Sequence, residues 1–165
     1  MQTKVGRITF GLPLLLSLAC FSMQGLAGEA INEVRDVQEN EVIDIELLNG
    51  DIVIRGWDRN EVSFTGELSD QAEGYDFSSR NGVTSFEEEY EDRRSFFGSG
   101  CKNWLDCSDE VDRTELEVSV PRNSTIRLEG INVELEITDI TGSTQIQIVS
   151  GPIFASNMSG RINIE

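Results

Sequence analysis

The last third of the sequence alternates apolar and polar residues, and glycines interrupt the alternation at short intervals. Between Thr114 and Ile164, apolar residues occupy nearly every second position within each short run. Successive side chains of a β-strand point to opposite faces, so a period of two predicts strands with one buried and one solvated face. The glycines that mark turns between the runs are Gly130, Gly142, Gly151 and Gly160. The sequence therefore predicts an all-β, solenoid-like stack of short strands.

A second β segment is predicted between Ile43 and Leu68, where apolar residues again alternate with polar ones. Asn49-Gly50 is the dipeptide most typical of a two-residue hairpin turn. We therefore expect three strands here, one on each side of this turn and a third that contains Val62 and Phe64. In the later repeats, Leu135 belongs to an apolar row and is predicted to point into the core.

Residues 69–112 differ from both β segments, because they are charged and aromatic and their alternation is weaker. We expect a loop insertion here that contains a hairpin projecting from the stack. The acidic run from Glu87 to Asp92 is predicted to be a solvated strand face or tip. A calcium site is the alternative, both for this run and for the cluster that follows, but Ca²⁺ needs about six to eight oxygen ligands and no known calcium-loop motif is present. That cluster is Asp106, Asp109, Glu110 and Asp112.

The same insertion holds a segment that combines basic and aromatic residues within a chain of formal net charge −17. Arginine and large aromatic residues dominate the energetically important positions of protein interfaces, and loops often carry function. We therefore predict a partner-contact loop here; the alternative is that its aromatic rings fold back on the sheet. The residues of this predicted contact loop are Arg93, Arg94, Phe96, Phe97, Lys102 and Trp104.

The amino terminus has the pattern of a secretory signal peptide over residues 1–27. Lys4 and Arg7 precede an apolar run, and small residues precede a cleavage site after Ala27. A retained anchor helix and lipid attachment at Cys20 are the alternatives. We expect residues 28–165 to form one exported domain in the periplasm, at the cell surface or secreted, without a membrane span after signal removal.

Removal of the signal peptide would leave two cysteines, Cys101 and Cys107. Two closely spaced cysteines in an exported chain predict a disulfide bond. A metal site is the competing interpretation, but two thiols without histidine do not complete a usual zinc shell. No cofactor is predicted.

The balance of 30 acidic against 13 basic residues constrains the partners of this chain. A strongly negative protein is repelled by nucleic acid and by anionic membrane surfaces. The composition favours a cation or a basic partner. It is also explained by strands that bury aliphatic residues on one face and solvate carboxylates on the other.

Several short motifs resemble those of the bacterial putative-adhesin family of envelope β-strand-repeat domains. The matching segments are Asn49–Asp58, Leu116–Pro121, Ser150–Ile153 and Ser159–Ile162. The resemblance covers most of Ile43 to Glu165 and implies a right-handed β-solenoid with no assigned catalytic residues. Because members of that family usually continue through more repeats, it also implies that this chain is a truncated member or that its last strand joins a partner or another copy.

The residue types present argue against an enzyme. The sequence contains no histidine, which excludes Ser-His-Asp and Cys-His catalytic arrangements. The leading hypothesis is a non-enzymatic envelope module that contacts a protein or a glycan. A self-associating structural scaffold of the envelope is the alternative. A polysaccharide-active β-helix enzyme that uses a carboxylate pair is a third, less favoured hypothesis.

Overall fold

The computed structural model describes residues 28–90 and 112–165, and every regular element in these two ranges is a β-strand. Within them no helix is present, and so none that is long and apolar enough to cross a membrane. The prediction of an all-β chain is confirmed for these residues. The ten strands are β1 (Ala30–Asp36), β2 (Val42–Trp57), β3 (Glu61–Glu67), β4 (Gly74–Arg80), β5 (Val83–Glu89), β6 (Thr114–Pro121), β7 (Thr125–Thr138), β8 (Thr144–Ser150), β9 (Ile153–Ser156) and β10 (Ile162–Ile164).

The strands form one mixed, open sheet whose main path is β1-β3-β6-β2-β7-β8-β10. Strands β1, β3 and β6 pair in antiparallel fashion, whereas β6, β2, β7, β8 and β10 pair in parallel. Three strands branch from this path: β5 pairs with β2, β4 with β5, and β9 with β7. The long strands β2 and β7 thus occupy the centre and connect most of the sheet.

The parallel register repeats every 18 residues in the carboxyl-terminal part. Ile126 pairs with Thr144, which pairs with Ile162, and each partner lies 18 residues further along the chain. Between β2 and β7 the offset is 83 residues, because β3 to β6 intervene. The repetition predicted from the glycines is therefore present in the strand register, whereas the handedness and stacking of a solenoid stay predictions.

Strand β2 passes through Asn49-Gly50 without reversing, so the predicted hairpin turn is wrong. Residues 43–68 accordingly hold two strands, β2 and β3, rather than three. A two-residue hairpin of the expected type requires positive φ at both residues, and neither Asn49 nor Gly50 has it. Gly50 instead pairs with Thr114 on one side and Val133 on the other. A Cβ at Gly50 would lie 2.4 Å from the Thr114 carbonyl oxygen, so glycine is needed for close approach of two backbones.

The chain's other Asn-Gly pair, Asn81-Gly82, forms the hairpin turn, with φ of 54° and 78°. It joins β4 to β5, which confirms a hairpin within residues 69–112. The prediction that this hairpin projects from the stack is wrong, because β5 also pairs in parallel with β2. Phe86 of β5 is fully buried and stacks on Phe64 with ring centroids 5.5 Å apart.

Most of the core is formed by the alternating apolar residues of β2, β3, β6 and β7, and Ile31, Phe86 and Ile146 add to it from β1, β5 and β8. Leu135 is fully buried, as predicted, and so are its row neighbours Val133 and Ile137. Burial decreases toward β10, where Ile162 and Ile164 are exposed although their alternation predicts an inward face. Among the described strands β10 pairs only with β8, and its two isoleucines stay about half exposed, at 46% and 50%.

Candidate functional site

The long strands bend around the core at one position, and the bend can be seen in the burial pattern. In β2 the buried row runs through Ile45 and Leu47 and resumes at Ile52, which changes its phase by one residue. Strand β7 changes phase in the same way after Leu128 and resumes at Val133. A straight strand keeps alternate residues on one face, so a change of phase turns the chain around the core. We call the aligned residues 46–49 of β2, 129–132 of β7 and 147–150 of β8 the corner.

The corner carries an apolar groove with a volume of about 490 Å³. Gly130 lies at its centre, paired with Leu47 on one side and Ile148 on the other. A Cβ at Gly130 would lie 2.6 Å from Cγ2 of Val133, so glycine here lets the core side chain of Val133 pack against the backbone beneath the groove. The volume lies within the range of about 300–1,000 Å³ that is typical of small-ligand pockets. The aliphatic residues lining the groove are Leu47, Leu48, Ile131, Ile148 and Val149.

One aliphatic residue from each strand of the corner points away from the core. The strand pairing between β2 and β7 includes the residues before and after Leu48 and Ile131 but not these two residues. The pairing between β7 and β8 likewise omits Ile131 and Val149. Leu48 is buried, Ile131 is half-buried and Val149 is 81% exposed. The groove is therefore closed at β2 and open to solvent at β8.

An acidic rim follows one edge of the groove. It contains the residues that lie two positions before each of these aliphatic residues, namely Glu46, Glu129 and Gln147. Glu46 pairs with Glu129, and Glu129 pairs with Gln147. The Nε2 atom of Gln147 donates a 3.2 Å hydrogen bond to Oε2 of Glu165, which completes the rim. An apolar floor beside carboxylates favours a ligand that offers both apolar surface and positive charge.

The opposite side of the corner is held by a pair of asparagine side chains. Asn132 Nδ2 donates to Asn49 Oδ1 at 2.8 Å, and Asn49 Nδ2 donates to the carbonyl oxygen of Asp112 at 3.1 Å. Asn49 is only 2% exposed, so its amide is satisfied by these partners rather than by water. The ladder of amides fixes the relative position of β2 and β7 next to the groove.

A buried carboxylate supports the corner from behind. Glu88 is 3% exposed and accepts hydrogen bonds from the Leu48 amide, at 3.2 Å, and from the Thr114 hydroxyl. Burial raises the pKa of Glu88, although hydrogen bonds from Thr114, Leu48 and Tyr90 oppose the shift. Burial and the nearby Glu88 also raise the pKa of Tyr90. The prediction of a solvated acidic run is therefore wrong at Glu88.

Strand alternation contains the signal that could have located Glu88. It lies two residues after Phe86, and alternate residues of a strand share one face. Because Phe86 faces the core, Glu88 does too. The prediction of a solvated run followed the many acidic residues, whereas the alternation of the strand places Glu88 on the same face as Phe86.

The predicted contact loop and the predicted disulfide lie outside the described residues. So do Asp106, Asp109 and Glu110 of the acidic cluster, and the predicted signal peptide with Cys20. Asp112 is described: its carboxylate accepts hydrogen bonds from the Ser69 hydroxyl, at 3.1 Å, and from the Asp70 amide. Within residues 28–90 and 112–165, no group of three or more Asp, Glu, Cys or His side chains is arranged to hold a metal ion.

The groove itself was missed from the sequence. The signal for the groove in the sequence is two consecutive aliphatic residues within an otherwise alternating run. This occurs twice, at Leu47-Leu48 and at Ile148-Val149. In β7 the equivalent pair is Gly130-Ile131, where glycine replaces the inward residue. Two adjacent apolar residues in an alternating strand place one of them on the outer face, which indicates a bend or a binding surface.

No protein-family model and no curated protein matches this chain. Solved bacterial structures are similar to it at low identity. A putative cell adhesion protein from Clostridium sporogenes has a TM-score of 0.49 at 12% identity, over 82% of this chain and 68% of that chain. A putative adhesin from Bacteroides fragilis has a TM-score of 0.38 at 10% identity, over 76% of this chain and 61% of that chain. A putative adhesin from Parabacteroides distasonis has a TM-score of 0.30 at 12% identity, over 83% of this chain and 78% of that chain.

The structural neighbours of this chain are thus bacterial proteins named as adhesins or as a cell adhesion protein, which agrees with the family resemblance of its sequence motifs. All three TM-scores lie below 0.5, so these likenesses carry no weight for how the chain acts.

Proposed function

We propose that this chain is a non-enzymatic, adhesin-like binding module of the bacterial cell envelope that contacts a protein or a glycan through the groove at the corner. The observation that carries the proposal is the open apolar groove, in which Val149 is 81% exposed next to the carboxylates of the rim. Exposed aliphatic residues that converge on a concave surface are typical of binding sites.

The proposed architecture is a right-handed β-solenoid whose repeats present this surface. The 18-residue offset between β7, β8 and β10 supports it, because equivalent residues of successive repeats then lie side by side. Such a scaffold holds the groove on strands rather than on loops, which keeps its shape fixed.

Export through the segment 1–27 is part of the proposal, to the periplasm, the cell surface or the medium, with lipid attachment at Cys20 as the alternative. A disulfide between Cys101 and Cys107 fits an oxidising compartment. The acidic composition supports a partner that is neither nucleic acid nor an anionic membrane.

The residue chemistry supports a role without catalysis. The sequence has no histidine, and Glu88, a carboxylate with a raised pKa, is enclosed by hydrogen bonds to Leu48 and Thr114. A catalytic acid must reach its substrate, whereas Glu88 is buried behind the corner.

Binding to arrays of peptides and glycans tests this function. The groove variant replaces two lining residues, Ile131→Ser and Val149→Ser. The control variant, Val34→Ser with Phe154→Ser, removes two exposed apolar residues that do not line the groove. We expect wild-type protein and the control to bind the same members, and the groove variant to lose them. Binding that survives in the groove variant, or no binding by wild type, would contradict the proposal.

A second candidate function is a self-associating scaffold of the envelope. It is favoured by the exposed apolar residues of β9 and β10, namely Phe154, Ile162 and Ile164. Strand edges with unpaired backbone groups are templates for pairing with another chain. Light scattering of residues 28–165 across concentration tests it: association that Ile162→Asp abolishes supports the scaffold, and a monomer at all concentrations excludes it.

A further inference from the structure

Resting on the proposed binding at the groove, we propose that its occupant is a short extended segment of another polypeptide, in which aliphatic side chains alternate with lysine or arginine. Three observations lead to this chemistry: the composition of the groove floor, the charge of its rim and its length across the strands.

The groove floor favours a polypeptide over a glycan. Its lining is aliphatic or glycine, and among the described residues no aromatic ring contributes to it. A sugar presents hydroxyl groups on nearly every face, and burying a hydroxyl without a hydrogen-bond partner is unfavourable. Aliphatic side chains of a peptide, by contrast, gain from burial against Ile131, Ile148 and Val149, which have apolar surface exposed to water.

The rim selects positive charge. Glu129 and Glu165 lie on the same edge of the groove, and Glu165 is positioned by its hydrogen bond from Gln147. Within the part of the chain that the structure describes, no cationic side chain lies within 4.0 Å of Glu129. A ligand cation beside the groove would therefore meet carboxylates in a protein whose formal charge is −17, which also steers basic partners toward it.

The length of the groove fits an extended segment. It crosses three neighbouring strands, β2, β7 and β8, whose spacing of about 4.8 Å gives a span of about 10 Å. Alternate side chains of an extended peptide are about 7 Å apart, so two of them can enter the groove together. The side chains between them then point away from the groove floor. A lysine at such a position can extend sideways to the carboxylates of the rim.

The probe is a fluorescein-labelled peptide of sequence Lys-Leu-Lys-Leu-Lys, and the measurement is fluorescence anisotropy at low salt. Two further peptides serve as controls, one with glutamate in place of lysine and one with serine in place of leucine. We expect the first peptide to bind at least tenfold more tightly than either control. The groove variant should weaken binding about tenfold, and the Val34→Ser, Phe154→Ser control should leave it unchanged.

The rim is tested with Glu129→Gln, whose matched control is Glu136→Gln on the outer face of β7. We expect Glu129→Gln to weaken binding about threefold at low salt and to have a smaller effect at high salt, because exposed charge pairs are screened. Equal binding of the lysine and glutamate peptides would overturn the choice of a cationic partner.

Other occupants give different results. If glycans bind at the groove and the peptides do not, this inference fails while the proposed function stands; if nothing binds there, both fail. Dimerisation that the groove variant abolishes would identify a second copy as the occupant and overturn the external partner. Peptide binding that appears only when residues 91–111 are replaced by a glycine-serine linker would assign the groove to this chain itself and also overturn it.

Discussion

Asn132 donates a 2.8 Å hydrogen bond from Nδ2 to Oδ1 of Asn49, although 83 residues separate them in the chain. The bond crosses from β7 to β2 at the position where both strands bend. Asn49 in turn donates a hydrogen bond from its own Nδ2 to the carbonyl oxygen of Asp112. One buried amide thus connects three segments beside the groove.

Replacing this amide is expected to destabilise the fold. Asn49→Ala removes both hydrogen bonds of this buried side chain, the one from Asn132 and the one to the Asp112 carbonyl, each of which contributes about 0.5–1.5 kcal/mol. Denaturant unfolding measures the free energy of unfolding. Asn60→Ala, at an exposed turn position, is the control and should change it by less than about 0.5 kcal/mol. Equal effects of the two substitutions would show that the amide ladder does not stabilise the corner.

The buried Glu88 predicts a pH dependence of stability. Its pKa is raised above the ordinary value of 4.5, so the folded state binds its proton more tightly than the unfolded state does. The stability contributed by Glu88 is therefore fully present below pH 4.5 and is lost as the pH rises through the raised pKa. Glu88→Gln retains an acceptor for the Leu48 amide and cannot ionise.

We expect the difference in free energy of unfolding between Glu88→Gln and wild type to increase in favour of the variant as the pH rises from 4 to neutrality. Unfolding in urea at several pH values measures it. Asn60→Ala, which removes no ionisable group, is the control and should not show this trend. A difference that is constant with pH would contradict a raised pKa at Glu88.

Substitutions at Gly151 and Gly82 distinguish two reasons why a position in this fold requires glycine. Both have positive φ, 133° and 78°, but a Cβ at Gly151 would lie 1.9 Å from the Val133 carbonyl oxygen, whereas one at Gly82 meets nothing within 4 Å. Gly82→Ala should cost about 1–2 kcal/mol from backbone strain alone. Gly151→Ala should cost more, because β7 and the turn before β9 must also move apart. Thermal unfolding compares them, and an equal loss would show that close approach is unimportant at Gly151.

Leu135 tests the core directly. It is fully buried between β2 and β9, where Ile52 and Ile153 are its register partners. Leu135→Asp places an unpaired carboxylate in this core and should destabilise the protein by more than about 4 kcal/mol. Leu135→Met conserves apolar character and should cost less than about 1.5 kcal/mol. Circular dichroism on heating measures both, and an unchanged melting temperature for Leu135→Asp would refute its inward position.

The sequence predicts the strands of this fold better than their connections. Alternation identifies the buried faces around Leu135 because a strand has a period of two wherever one face meets the core. It also places Ile162 in such a row, but burial there needs a further neighbouring strand, which local sequence does not specify.

The two Asn-Gly pairs illustrate why connections are harder to predict. At Asn81-Gly82 the turn preference of the dipeptide itself determines the backbone conformation, and both residues have positive φ. At Asn49-Gly50 the backbone is held by Thr114 and Val133, which are distant in sequence, and pairing on both sides overrides the turn preference. The same dipeptide therefore has two structures.

The groove could be predicted only in part. Consecutive aliphatic residues at Leu47-Leu48 and Ile148-Val149 indicate that one residue of each pair lies outside the core. Their convergence on Gly130 depends on the 83-residue offset between β2 and β7, which no local pattern contains. Glu88 was misassigned because its charge suggested solvent while its position in β5 placed it beside the core.

The most direct test of the groove as a binding site is methyl-labelled NMR of residues 28–165 during titration with the Lys-Leu-Lys-Leu-Lys peptide. Binding at the corner should shift the methyl resonances of Ile131, Ile148 and Val149 in a saturable manner and leave those of Val34 and Ile164, which do not line the groove, unchanged. Saturable shifts confined to other methyl groups, with Ile131 and Val149 unaffected, would contradict the assignment of the groove.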